Sequence, residues 1–160
     1  MDQVAQDTII HYVMDTFTGL EVLRPTDGLG AGDTFFYYDP QHDLDPKRRL
    51  PFATIVTKDY GDFDHASNLN RPEVFRLNIG VSRDAFRALL GYAPGEESLE
   101  GTDYDFAALD RLMPHPVYAP QSWVCVLNPS PETFEAVKPL LADAYARVAA
   151  RHARGQTKHD

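Results

Sequence analysis

The sequence is short of cysteine, of basic residues and of long apolar runs, and each shortage excludes a class of protein. Cys125 is the only cysteine, which excludes a disulfide within the chain and is typical of a reducing compartment. Lysine and arginine number 15 against 24 aspartate and glutamate, so the formal net charge is −9. A chain this acidic is a poor general binder of nucleic acid or of an anionic membrane. No apolar run approaches the roughly 18 residues that a membrane span needs.

The first twenty residues also lack basic side chains, and they do not resemble a signal peptide. Together with the lone cysteine, this predicts a cytoplasmic protein. Apolar residues make up 43% and charged residues 24% of the 160-residue chain, as in ordinary globular domains. We therefore expect a single domain over residues 1–154, followed by a disordered tail over 155–160.

Apolar periodicity predicts an α+β fold with an antiparallel sheet. Residues 75–81 alternate apolar and polar side chains, which indicates a strand with one buried face. Ser82 and Gly91 have the residue types that cap a helix over 83–90. We expect five or six strands packed by an N-terminal helix over 3–17, this middle helix, and a C-terminal helix that starts at Pro131 and breaks near Pro139.

Three stretches resemble a known family. They are 68–81, which contains Asn-Leu-Asn-Arg-Pro and then Phe-Arg-Leu-Asn-Ile-Gly-Val; 112–118, Leu-Met-Pro-His-Pro-Val-Tyr; and 123–129, Trp-Val-Cys-Val-Leu-Asn-Pro. With the N-terminal helix and the aromatic strand at 35–37, they resemble a bacterial family known only as domain of unknown function 6194. That resemblance covers nearly the whole chain and implies no activity. The Trp-bearing strand followed by a helix with Ala144-Tyr145 also resembles YjbR-like (MmcQ) proteins, whose "double wing" fold is suspected of binding DNA.

The segment Pro114-His115-Pro116 is the most site-like element of the sequence. Two prolines restrict the backbone around one imidazole, which orients that side chain at low entropic cost. Histidine suits proton transfer or ligand binding near neutral pH. The structural alternative is a half-buried histidine that bonds the backbone. Trp123, on the next predicted strand, is an aromatic candidate for the same site.

Arg71, Arg76 and Asn78 form a second group of candidate binding residues. Arg76 and Asn78 alternate with the apolar positions of their strand, so they share its other face. If that face lines a groove, they can hold a carboxylate or phosphate. The alternatives are a solvated sheet face, or Arg76 paired with a neighbouring acid.

Other polar clusters favour structural roles. The acidic, histidine-containing loops at 39–45 and 59–65 match neither a calcium loop nor the spacing of a helical metal site, so we predict no metal. A Cys–His pair of Cys125 with His115 is geometrically possible, although a free cysteine in an apolar run is usually a small buried side chain. No nucleotide fingerprint is present, and we predict no cofactor.

Three interpretations of function follow. The first is a non-catalytic module that binds a small molecule or a protein through Arg71, Arg76, Asn78, His115 and Trp123. The second is a wing-type nucleic-acid binder that uses Lys47, Arg48 and Arg49, although the acidity of the chain argues against nucleic acid as a partner. The third is a hydrolase or transferase that depends on His115 as its candidate catalytic residue. The sequence leaves a homodimer open and favours a non-enzyme without deciding the matter.

Overall fold

Six antiparallel strands form one open sheet in the order β1-β2-β3-β4-β6-β5. The computed structural model describes residues 3–43, 50–96 and 104–157. β-Branched and aromatic residues, which suit a pleated and half-buried surface, dominate three of these strands. Their bounds are Leu20–Leu23 (β1), Thr34–Tyr38 (β2), Ala53–Val56 (β3), Arg76–Gly80 (β4), Met113–Pro114 (β5) and Trp123–Leu127 (β6). The predicted α+β class with an antiparallel sheet is confirmed.

Three helices contribute to a core on one face of this sheet. They are α1 (Gln6–Thr16), α2 (Arg83–Leu90) and α3 (Pro131–Thr157). Alternate positions of the central strands, such as Leu77 and Ile79, point into this core. The helices add the apolar side chains Ile9, Ile10, Val13, Phe86, Phe134, Val137, Leu141 and Ala144. Within the described residues, no helix is long and apolar enough to cross a membrane.

Loops, rather than helices, cover the opposite face of the sheet. A second apolar cluster lies there, built from Val56, Cys125 and Leu127 of the strands together with Leu69 and Met113. The loop between β3 and β4 supplies Leu69, and Tyr60 of the same loop packs against the cluster. This loop-covered face also carries the polar positions of β4. A buried polar group must be bonded, so this face demands a specific network.

Two details of the predicted elements are wrong. The alternation in 75–81 predicted one buried face, but every residue of β4 is buried, because the loop after β3 folds over the second face. Helix α3 runs without a break from Pro131 to Thr157, with Pro139 inside it. Pro139 and Glu135, whose carbonyl the proline leaves without its helical donor, are both exposed, so water can solvate that carbonyl. The predicted disorder of residues 155–160 stays a prediction for 158–160, which lie outside the described residues.

Candidate functional site

A buried arginine lies at the centre of the loop-covered face. Arg76 is 1% exposed and forms an ion pair with Asp64, which is 7% exposed and comes from the loop between β3 and β4. The pair is bidentate: Nη1 donates to Asp64 Oδ1 at 3.0 Å, and Nη2 donates to Oδ2. Burial alone would raise the pKa of Asp64, but the hydrogen bonds and charge of Arg76 outweigh it and hold that pKa below its usual range. The pair is therefore ionised and compensated.

Neutral side chains bond the remaining edges of the guanidinium. Nε of Arg76 donates to Oδ1 of Asn78 at 2.8 Å, and Nη1 also donates to Oγ of Ser67 at 2.9 Å. Asn78 is fixed in turn, because its Nδ2 donates to Oγ1 of Thr54 on β3 at 2.9 Å. We call Thr54, Asp64, Ser67, Arg76, Asn78 and His115 the Arg76 network. Its bonds span two strands and a loop, so the network fixes the loop against the sheet.

His115 follows β5 directly and lies beside Arg76. Its backbone N–H donates to the carbonyl of Trp123 at 3.0 Å, so the strand pairing continues through it. Its ring Nδ1 accepts from the backbone N–H groups of Val117 and Tyr118, both at 3.0 Å, and these bonds orient the imidazole. Its Nε2 lies 3.3 Å from Nη2 of Arg76. Burial and the charge of Arg76 lower the pKa of His115 to about 3, so the ring is neutral at pH 7.

The Arg76 network borders a cavity of about 710 Å³, which is lined both by residues of the loop-covered face and by residues of α3. Its polar lining includes Asp64, Arg76, Asn78 and His115, and Arg147 and Arg151 of α3 also line it. Apolar and aromatic side chains make up much of the rest: Phe35, Leu50, Phe52, Val56, Tyr60, Phe63, Tyr118, Trp123 and Val148. A concave, mostly apolar cavity with a few fixed polar groups is the usual form of a small-molecule site.

The cavity also has an exposed apolar margin. Eight large apolar side chains are exposed among the described residues, and three of them, Leu50, Phe63 and Tyr118, line this one cavity. Phe63 and Tyr118 contact each other edge to face with ring centroids 5.9 Å apart, and the His115 ring lies 5.0 Å from Tyr118. Exposed apolar side chains gathered around a cavity are typical of a binding site rather than of a random surface.

Four of the five residues predicted to bind a ligand line this cavity. They are Arg76, Asn78, His115 and Trp123, and Trp123 packs so closely over Gly80 that a Cβ there would lie 2.9 Å from its ring. The fifth, Arg71, does not line it. Its guanidinium donates to the backbone carbonyls of Asn68, Ser67 and Ala107, at 2.7, 3.1 and 3.0 Å. Arg71 therefore ties two loops together.

Sequence reasoning missed the anchor of the network, Asp64. For the acidic loop at 59–65 the sequence predicts only a structural role, whereas in the structure Asp64 is buried against Arg76 and Asp59 accepts the backbone N–H of Leu69 at 2.8 Å. The available signal was a buried-strand arginine that requires an acid, but the sequence does not show which of several nearby acids supplies it. Neither does apolar periodicity show the path of an irregular loop.

The remaining candidates lie apart from the cavity or have structural roles. Lys47, Arg48 and Arg49 lie outside the described residues. Cys125 is fully buried, its thiol donates to the carbonyl of Pro114 at 3.6 Å, and burial raises its pKa to about 12, so it is not a nucleophile at neutral pH. One cluster, Glu21, Asp39 and His42, brings possible metal-ligand atoms within 4.8 Å of one another. Exposed acidic groups commonly lie this close together without binding a metal ion.

Comparison with known proteins agrees with the family resemblance. A family model described as a family of unknown function (DUF6194) matches residues 3–157. The chain belongs to this family. The matched range contains every residue of the Arg76 network and of the cavity lining, but the family description assigns them no activity. No curated protein and no solved structure matches this DUF6194 chain.

Proposed function

We propose that this protein is a non-catalytic binding module whose cavity beside the Arg76 network holds a small molecule. The observation that carries the proposal is the convergence of Arg76, Asn78 and His115, all at least 96% buried, on one cavity of about 710 Å³ with aromatic walls. Burying such polar groups costs stability unless they are bonded, and here they are held rigidly in place. Rigid polar groups in an apolar cavity fix the orientation of a ligand.

The chemistry of the site supports binding better than acid–base catalysis. A general base works best with a pKa near the working pH, whereas the pKa of His115 is about 3. The two carboxylate oxygens of Asp64 accept from Nη1 and Nη2 of Arg76, and Ser67 accepts from the same guanidinium. The interpretation that uses His115 in a hydrolase or transferase therefore has less physical support. The nucleic-acid interpretation, like the YjbR-like resemblance, stays a prediction. Its test is whether duplex DNA retains the protein at low salt, and whether replacing Lys47, Arg48 and Arg49 by alanine abolishes that retention.

A thermal-shift screen tests the binding proposal. We expect at least one metabolite to raise the melting temperature, because a ligand at about one hundred times its Kd adds about 2.7 kcal/mol to the free energy of unfolding. For a chain of this length that corresponds to roughly 5–10 °C. Metals and nucleotides belong in the same screen, and failure of every compound would count heavily against the proposal.

A matched pair of variants locates any binding found in that screen. Tyr118→Ala removes a cavity-lining aromatic side chain that is 41% exposed, so it should weaken binding of the hit about ten-fold. Leu109→Ala removes a side chain that is 48% exposed and does not line the cavity, so it should leave the Kd unchanged. Equal effects of the two changes on the Kd would place the ligand elsewhere. Light scattering, run in parallel, tests whether the chain forms the homodimer that the sequence leaves open.

A further inference from the structure

One N–H group of the buried Arg76 faces the ring of His115 and has no oxygen acceptor among the described residues. A guanidinium has five N–H groups. Four of the N–H groups of Arg76 are bonded. Nε–H donates to Asn78, the two N–H groups of Nη1 donate to Asp64 and Ser67, and one N–H of Nη2 donates to Asp64. The fifth, also on Nη2, faces Nε2 of His115 at 3.3 Å.

His115 cannot accept this fifth N–H. Its Nδ1 already accepts from the backbone N–H groups of Val117 and Tyr118, so Nδ1 carries no proton. A neutral imidazole holds one proton, and that proton is therefore on Nε2. Nε2–H and the fifth N–H of Arg76 are two donors side by side, and both side chains line the cavity. An acceptor atom in the cavity that receives both would satisfy them together.

The charge balance indicates what kind of acceptor fits. At the two donors themselves, Asp64 already neutralises Arg76 and His115 is neutral, so this corner carries no surplus positive charge, although Arg147 and Arg151 of α3 also line the cavity. A carboxylate at the two donors would lie close to the Asp64 carboxylate, and the cation that it meets there, Arg76, is already paired. A neutral carbonyl oxygen has two lone pairs, so it can accept from both donors, and it loses much less hydration free energy on burial than a carboxylate does.

We propose that the cavity recognises a neutral carbonyl compound with an apolar or aromatic body, and that its oxygen accepts hydrogen bonds from Nε2 of His115 and Nη2 of Arg76. The inference rests on the proposed binding function and names the ligand class for that cavity. The body of such a ligand would lie against the aromatic lining, which includes Phe35, Tyr118 and Trp123. A ketone, an amide or a ring carbonyl all meet this description.

Three probes of nearly the same shape test the proposal. Acetophenone carries the carbonyl oxygen, ethylbenzene has no acceptor, and benzoate carries a charged acceptor. Titrations followed by amide NMR should show acetophenone binding about ten-fold tighter than ethylbenzene, the size expected of one or two buried hydrogen bonds. Benzoate should bind no tighter than acetophenone. Equal Kd values for acetophenone and ethylbenzene, or a clear preference for benzoate, would overturn the proposal.

A variant of His115 isolates the donor. In His115→Asn, Oδ1 takes the place of Nδ1 and can still accept from Val117 and Tyr118, as in an Asx turn, but the Nε2–H donor is gone. The ten-fold preference for acetophenone should then fall to about two-fold or less, and an unchanged preference would contradict the proposal. If this variant does not fold, the three-probe comparison on the unaltered chain decides.

The same titrations separate this inference from the proposed function. Ethylbenzene reports on the apolar cavity alone. If ethylbenzene and acetophenone bind equally well and shift the amides of cavity-lining residues, the binding function stands and the carbonyl preference falls. If none of the three probes shifts those amides at millimolar concentration, the result counts against both.

Discussion

Asp64→Asn should lower the free energy of unfolding by about 3–5 kcal/mol, the cost of leaving a buried charge without its partner. Arg76 is 1% exposed and Asp64 is 7% exposed, so solvent cannot replace the missing carboxylate. Asparagine keeps the shape of the side chain and can still accept one hydrogen bond, so the loss reports mainly on charge. Urea unfolding of the variant and of the unaltered chain measures this loss of unfolding free energy.

Asp62→Asn is the matched control for that experiment. Asp62 lies two residues earlier in the same loop and is exposed, so the same chemical change should alter the free energy of unfolding by less than about 0.5 kcal/mol. A loss for Asp64→Asn as small as the loss for Asp62→Asn would show that the ion pair is solvated. The Arg76 network would then not be the rigid wall that the binding proposal requires.

Between pH 7 and pH 4.5 the protein should lose about 2–3 kcal/mol of unfolding free energy through His115 alone. The folded pKa is about 3 and the ordinary value is 6.5. In this window the unfolded chain binds a proton at His115 and the folded chain does not, so the free energy of unfolding falls as the pH falls. Each unit of pH well below 6.5 contributes about 1.4 kcal/mol.

The groups facing His115 set the limits of that window. The lowered pKa of Asp64 adds its own loss of stability only as the pH falls through about 4 and below. His115→Asn removes the titrating ring and keeps an acceptor for the turn at 117–118. Urea unfolding at several pH values should therefore give a flatter pH profile for His115→Asn than for the unaltered chain. Parallel profiles would contradict the low pKa.

Local patterns predicted most of the fold. The capped segment at 83–90 gave α2 with the bounds that the structure has, and the aromatic strand at 35–37 lies within β2. In α2 the reason is visible: the Ser82 side chain accepts from the N–H of Ala85, and Gly91 adopts a positive φ that ends the helix. Signals of this kind depend only on neighbours in sequence.

The errors arise where contacts between distant residues override a local signal. Pro139 is a helix breaker by its own chemistry, but Val137 and Leu141 pack into the core on either side of it and hold the helix together. A local contact has a similar effect in the stretch 112–118, where only Met113 and Pro114 form β5, because the His115 ring accepts from the next backbone N–H groups and draws them into a turn.

The candidate site was predictable in its residues but not in its connections. Alternation placed Arg76 and Asn78 on one face of β4, and the paired prolines drew attention to His115. Nothing in the sequence showed that Asp64 would close over Arg76, since that contact depends on the path of an irregular loop. The tautomer of His115 depends on the same kind of detail, two backbone N–H groups that face one ring nitrogen.

The most direct test of the account is therefore the protonation of His115 in the free protein. A long-range proton–nitrogen NMR spectrum at pH 7 distinguishes a proton on Nε2 from one on Nδ1 and from a charged ring. We predict a neutral His115 with its proton on Nε2, beside Arg76 and facing the cavity. A proton on Nδ1, or a charged imidazole at pH 7, would contradict the central claim.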